Sequence, residues 1–102
     1  VRWRYLALRV EAEDMFTSKE LMDTIWGSVS KLYGEYGASR TGLALIDYDV
    51  EEKFVIIRAT HTSLENVRTA IASITKIGNK PAAIHLLAVS GTIKALLKKT
   101  RH

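Results

Sequence analysis

Residues 3–10 alternate apolar and mixed positions, with Leu6, Leu8 and Val10 on one side and Trp3, Tyr5, Ala7 and Arg9 on the other, as a half-buried strand requires. The polar run at residues 11–14 ends it. Thr17 followed by Glu20 has the form of a capping box, and Leu21, Ile25, Val29, Leu32 and Tyr36 then recur at helical spacing, predicting a first helix over residues 18–36. Gly34, Gly37 and Gly42 break that rhythm. Residues 43–50 and 54–61 read as two strands of a hairpin joined at residues 51–53. Thr62 with Glu65 repeats the capping-box spacing, and Leu64, Val67, Ile71, Ile74 and Ile77 predict a second amphipathic helix closing at Gly78 and Asn79. Pro81 opens a fourth strand reaching about residue 89, and Ser90 and Gly91 lead into a short terminal helix.

The predicted order is β-α-β-β-α-β with one extra C-terminal helix, an α+β chain of the ferredoxin-like, RRM-like kind built on a four-stranded antiparallel sheet. Right-handed crossovers place both main helices on one face of it. Residues 1–102, with 47% hydrophobic content and a single proline, suffice for one core, so a single domain is expected. On the face away from the helices, the strand parity gathers Trp3, Tyr5 and Arg9 with Phe54, Ile56 and Arg58. Aromatics interleaved with arginine can stack bases, but the glycine-rich and aromatic signature of RNA-recognition motifs is missing. A face this apolar is expected to be covered, and the terminal helix with its own stripe of Ile93, Leu96 and Leu97 is the candidate cover.

Charge changes the picture. The net charge is only +4, yet residues 1–52 carry six Lys/Arg against ten Asp/Glu, while residues 53–102 carry nine Lys/Arg against Glu65 alone. A balance of −4 followed by +8 suits one surface to a polyanion, unless folding scatters the two halves among each other. The absence of cysteine excludes disulfides and thiolate metal sites and fits a reducing, cytoplasmic setting. The first residues show no basic-then-apolar leader, and the apolar run at residues 81–89 is too short to span a bilayer, so no membrane association is expected.

Candidate chemistry concentrates at the end of the chain. Lys94, Lys98 and Arg101 fall on one face of the terminal helix, with Lys99 beside them, opposite the apolar stripe. Ser90, Gly91 and Thr92 offer hydroxyls and backbone amides at its start, suited to anion binding or to plain capping. His61, His85 and His102 have no ligand-like spacing with carboxylates, and the acidic run Asp47, Asp49, Glu51 and Glu52 reads as a solvated hairpin tip, so no metal is expected on the protein. None of the serines sits in a nucleophile-elbow pattern. Acylphosphatases share the fold, but their anion-binding loop after strand one is replaced here by acidic residues 11–14, which would repel an anionic substrate.

Four segments taken together resemble the archaeal ribonuclease P protein component 2 family, which has a eukaryotic nuclear ribonuclease P and MRP counterpart. They are Arg4-Tyr5-Leu6, Tyr33-Gly34-Glu35-Tyr36-Gly37, Ile56-Ile57-Arg58 and Ser90-Gly91-Thr92-Ile93-Lys94, with Ile77-Gly78-Asn79-Lys80-Pro81 ahead of the last strand. The family usually carries a second arginine shortly after the one in strand three; this chain has His61. The resemblance implies a non-catalytic accessory subunit of a ribonucleoprotein whose RNA removes the 5′ leader of precursor tRNA with RNA-bound Mg²⁺. It also implies a larger, barrel-folded protein partner, with two copies of each. On that basis Arg58, Lys76, Lys80, Lys94, Lys98, Lys99 and Arg101 are expected to meet phosphates, assisted by Ser90, Gly91 and Thr92. Trp26, Tyr33 and Tyr36 on helix one are expected to face the protein partner. The competing reading is a dimerising or small-ligand-binding regulatory module using the sheet face and binding no RNA.

Overall fold

In the computed structural model, residues 2–100 are described. Strands β1 (Trp3–Ala12), β2 (Ala44–Asp49), β3 (Phe54–Thr60), β4 (Lys76–Ile77) and β5 (Lys80–Ser90) form one antiparallel sheet in the order β2-β3-β1-β5-β4. Helices α1 (Ser18–Ser39) and α2 (Leu64–Ala72) cover one face, and α3 (Ile93–Thr100) lies on the other. The fold is therefore α+β, with a fifth, two-residue edge strand added to the four expected.

The alternation in β1 sorts its side chains as its pattern requires. Leu6, Leu8 and Val10 join Leu21 and Ile25 of α1, Val67 and Ile71 of α2, and Val55 and Ile57 of β3 in the main core. Each such fully buried Leu or Ile contributes about 1.5–3 kcal/mol of transfer free energy. Ala7 and Ile56 point the other way, where Leu96 of α3 closes over them with Tyr5, Phe54, Ala88 and Leu97 at the margin. The terminal helix is thus the cover of the second face. Two bulges adjust the sheet: the register slips past Leu87 in β5 and past Ile46 in β2. The first reverses the parity of β5, so that Leu86 and Val89 both reach the main core while Leu87 is left 43% exposed.

The capping box at the start of α1 forms as expected, Thr17 Oγ1 accepting from Glu20 N–H at 3.1 Å and Glu20 Oε1 from Thr17 N–H at 3.0 Å. Further along, the expected apolar stripe fails. Gly34 leaves the helical region at φ 78°, ψ 166°, and beyond this break the phase shifts so that Ala38 is buried while Tyr36 is 73% exposed. Leu32 lines, with Ser73, Ile74, Thr75 and Lys76, a groove past the end of α2 instead of entering the core.

The second helix also differs from expectation at both ends. Residues 61–63 form a short 3-10 turn, Ser63 takes the N-cap position without a side-chain capping bond, and Glu65 faces Arg68 at 3.7 Å, so the second capping box does not form. At the far end α2 stops at Ala72, capped by Ser73. Ile77 then pairs with Lys80 across Gly78 and Asn79, whose φ of 55° and 69° are those of a two-residue hairpin turn. Ile74 and Ile77 are buried as expected, but loop and strand bury them rather than helix.

Candidate nucleic-acid interface

Strand direction decides which charges meet. β1 and β2 begin, and β3 and β5 end, at the same edge of the molecule, because each neighbouring pair is antiparallel. That edge collects Arg2 and Arg4 ahead of and within β1, Arg40 ahead of β2, Arg58 near the end of β3, and the segment from Ser90 to Lys94 after β5. The strands contribute no carboxylate there; the nearest on the helices are Glu35, late in α1, and Glu65, early in α2. The opposite edge holds Glu11, Glu13, Asp14, Asp49, Glu51 and Glu52. The chain halves do not form separate acidic and basic surfaces, since β1 of the first half lies between β3 and β5 of the second. The segregation runs along the strands.

Arg58 stands over the Trp3 ring, its guanidinium carbon 4.1 Å from the ring centroid, and its Nε is buried without a hydrogen-bond partner in the protein. Trp3 is held from behind by Gly42, where a Cβ would come within 2.7 Å of the indole. The guanidinium is thus oriented by cation–π contact, which leaves donors to turn outward.

At the start of α3 the cap is Thr92, whose Oγ1 accepts from Ala95 N–H at 3.1 Å. Ser90 closes β5, its Oγ accepting from Thr92 N–H at 3.5 Å, and Gly91 lies beside Arg4, whose Nη1 would be 3.5 Å from a Cβ at that position. Lys94, Lys98 and Lys99 are all exposed on α3. Lys99 folds back to donate to the Val89 carbonyl at 3.0 Å. Arg101 lies outside the described residues.

Lys76 and Lys80 are exposed, but the β4–β5 hairpin carries them to the opposite edge from Arg58 and Ser90, Lys76 on the edge strand β4 and Lys80 at the start of β5. The positions expected to meet phosphate therefore do not make one patch: Arg58, Ser90, Gly91, Thr92 and Lys94 share an edge, Lys98 and Lys99 extend from it along α3, and Lys76 and Lys80 stand apart. Residue-by-residue reading passes over the arginines at positions 2, 4 and 40 because they lie in the acidic half of the sequence. The element order holds the signal, since cations before β1 and β2 and late in β3 converge once the sheet is antiparallel.

On α1, Trp26 and Tyr33 are 42% and 37% exposed, about two turns apart on the same helix face. Tyr36 lies past the break at Gly34 and is occupied with Arg40, its hydroxyl accepting from Arg40 Nη1 at 2.8 Å under a guanidinium 5.5 Å from the ring. His85 pairs with Glu11 at 2.8 Å. A shallow pocket of about 380 Å³ at the acidic edge is lined by Arg9, Asp49, Glu52, Phe54, Leu87 and Thr100, with charges of both signs.

Residues 4–101 match the model of the Rpp14/Pop5 family. The chain is 35% identical to the Ribonuclease P protein component 2 of Pyrococcus abyssi over 94% of its own length and 81% of the relative's. It is 33% identical to that of Methanosarcina barkeri over 94% and 70%. A chain in the cryo-EM structure of yeast Ribonuclease MRP shares the fold, with a TM-score of 0.75, 15% identity, and coverage of 97% of this chain and 88% of that one. Family model and relatives match over nearly the whole length: the chain belongs to the Rpp14/Pop5 family.

Proposed function

We propose that this chain is a non-catalytic protein subunit of a ribonuclease P ribonucleoprotein, binding the catalytic RNA and supporting its 5′ processing of precursor tRNA. The observation that carries the reading is the cationic edge, which apart from Arg2 lies within the residues that match the Rpp14/Pop5 family. Phosphate contacts from Arg58, Lys94, Lys98 and Lys99 supply sequence-independent affinity, and the Ser90 to Thr92 turn adds polar groups beside them. Mg²⁺ belongs to the RNA in this reading. The family resemblance extends the proposal to a larger, barrel-folded protein partner, two copies of each subunit, and a cytoplasmic setting. Exposed Trp26 and Tyr33 support α1 as the protein-facing element.

The strand order β2-β3-β1-β5 with α1 and α2 on one face supports reading the fold as ferredoxin-like. The alternative, a module dimerising through its sheet, is disfavoured because α3 already occupies that face with Leu96 fully buried.

The test is the salt dependence of binding to ribonuclease P RNA. Replacing Lys94, Lys98 and Lys99 together by Gln is expected to weaken binding and to flatten the slope of log K against log salt by about 0.7 to 0.9 for each phosphate no longer neutralised. A wild-type slope in the triple variant would remove α3 from the RNA interface.

A further inference from the structure

The corner where β3 runs into α2 carries two arginines of the cationic edge, Arg2 and Arg40, to which no phosphate contact is assigned above. Three segments meet there, and hydrogen bonds fix them. His61 N–H donates to the Arg2 carbonyl at 2.8 Å, and Thr60 N–H to the Thr41 carbonyl at 2.8 Å. The hydroxyls of Thr60 and Ser63 donate to the Arg40 carbonyl at 3.3 and 3.5 Å. The main chains of Arg2 and Arg40 are thereby held on either side of residues 60–63. Between them opens a pocket of about 340 Å³ lined by Arg2, Arg40, Thr60, His61 and Thr62. Among the described residues no carboxylate lines it.

The Arg40 guanidinium is already oriented by the Tyr36 hydroxyl and ring, so placing it costs little side-chain entropy on binding. Ser63, the N-cap of α2, makes no side-chain capping bond, and Glu65 in the first turn of that helix faces Arg68 without lining the pocket. Two guanidinium groups, an imidazole and the Thr62 hydroxyl offer more donors than a carboxylate can match with two oxygens. A phosphate group presents enough acceptors for both arginines. Every lining residue except Thr60 is exposed, so the ligand need not be engulfed, and a phosphate carried on a larger chain can reach it.

We propose that Arg2, Arg40 and His61 form a phosphate-binding pocket that receives a backbone phosphate of an RNA strand at the corner between β3 and α2. The choice of RNA as the source of the phosphate rests on the function proposed above; the phosphate chemistry rests on the pocket itself. Occupancy would extend the cationic edge around the start of α2 and fix the direction in which a strand leaves it.

The test is an NMR titration of the whole chain with inorganic phosphate in one arm and a decameric oligouridylate in the other. Shifts are expected at the amides of Arg2, Arg40 and residues 60–62 and at the Nε–H signals of both arginines. In the RNA arm, R2Q/R40Q is expected to lose these shifts and to lower the salt slope by about 0.7, the contribution of the one single-strand phosphate that the pocket holds. R40K, which keeps the charge, is expected to retain most of the slope. Shifts with phosphate but not with RNA would uphold the pocket while overturning RNA as its source. If K94Q/K98Q/K99Q weakens RNA binding while R2Q/R40Q binds as the wild type does, the RNA contact at this corner is overturned and the proposed function stands. No shifts at these residues with either probe would overturn the pocket, a result the wild-type protein gives without any variant.

Discussion

Gly42 adopts φ +61°, and a Cβ there would meet the Trp3 ring at 2.7 Å. Gly42→Ala therefore incurs a left-handed backbone cost of roughly 1–2 kcal/mol and in addition displaces the indole on which Arg58 rests. Urea unfolding is expected to record a lowered midpoint, with altered tryptophan fluorescence in the folded baseline; an unchanged midpoint would contradict the packing described. Tyr48 makes a second residue-scale case. Its ring stacks on Phe16 at 5.7 Å, its hydroxyl donates to the Phe16 carbonyl at 3.2 Å, and desolvation raises its pKa above the ordinary 10.0. A folded pKa above the unfolded one contributes stability that is present below about pH 10 and lost as pH rises through the folded value. Tyr48→Phe is expected to reduce the loss of stability on the alkaline side, read as melting temperature between neutral pH and about pH 11. A variant that declines as steeply as the wild type would remove Tyr48 from that loss.

Among the elements, α3 is the one whose placement governs both the fold and the interface. Leu96 is its only fully buried side chain among the described residues, set against Ala7 and Ile56. Leu96→Ala is expected to cost about 2–5 kcal/mol, and hydrogen exchange should quicken first at the α3 amides. Slowed or unchanged exchange there would mean that the helix is held by something other than this packing. That α3 would cover the sheet was legible in the sequence, because the apolar parity of β1 and β3 and the stripe in the terminal helix are complementary. The limits of α2 were not. Ile74 and Ile77 fit a helical period and a core-facing loop equally well, and only the Gly78-Asn79 pair, a two-residue hairpin signal, marks the reversal. The break in α1 at Gly34 was visible as glycine, but its consequence, burial of Ala38 in place of Tyr36, depends on how the chain re-phases after it.

At the scale of the whole molecule, the charge split along the sequence becomes a polarity along the strands. Composition by halves assigns Arg2, Arg4 and Arg40 to an acidic surface, whereas antiparallel pairing returns them to the edge that holds Arg58 and the start of α3. The same pairing removes Lys76 and Lys80 to the other end. Residue types and local spacing were therefore enough to single out Arg58 and the Ser90 to Lys94 segment as candidates, while the arginines that share their edge became legible only through the direction of the strands. The proposal that this polarised chain assists a catalytic RNA is tested most directly by precursor-tRNA cleavage with ribonuclease P RNA at low Mg²⁺, together with a barrel-folded partner protein, in the presence and absence of this chain. Cleavage that rises on addition of this chain and falls back when it is omitted is the predicted result; equal cleavage with and without it, both proteins being folded and associated, would contradict the account.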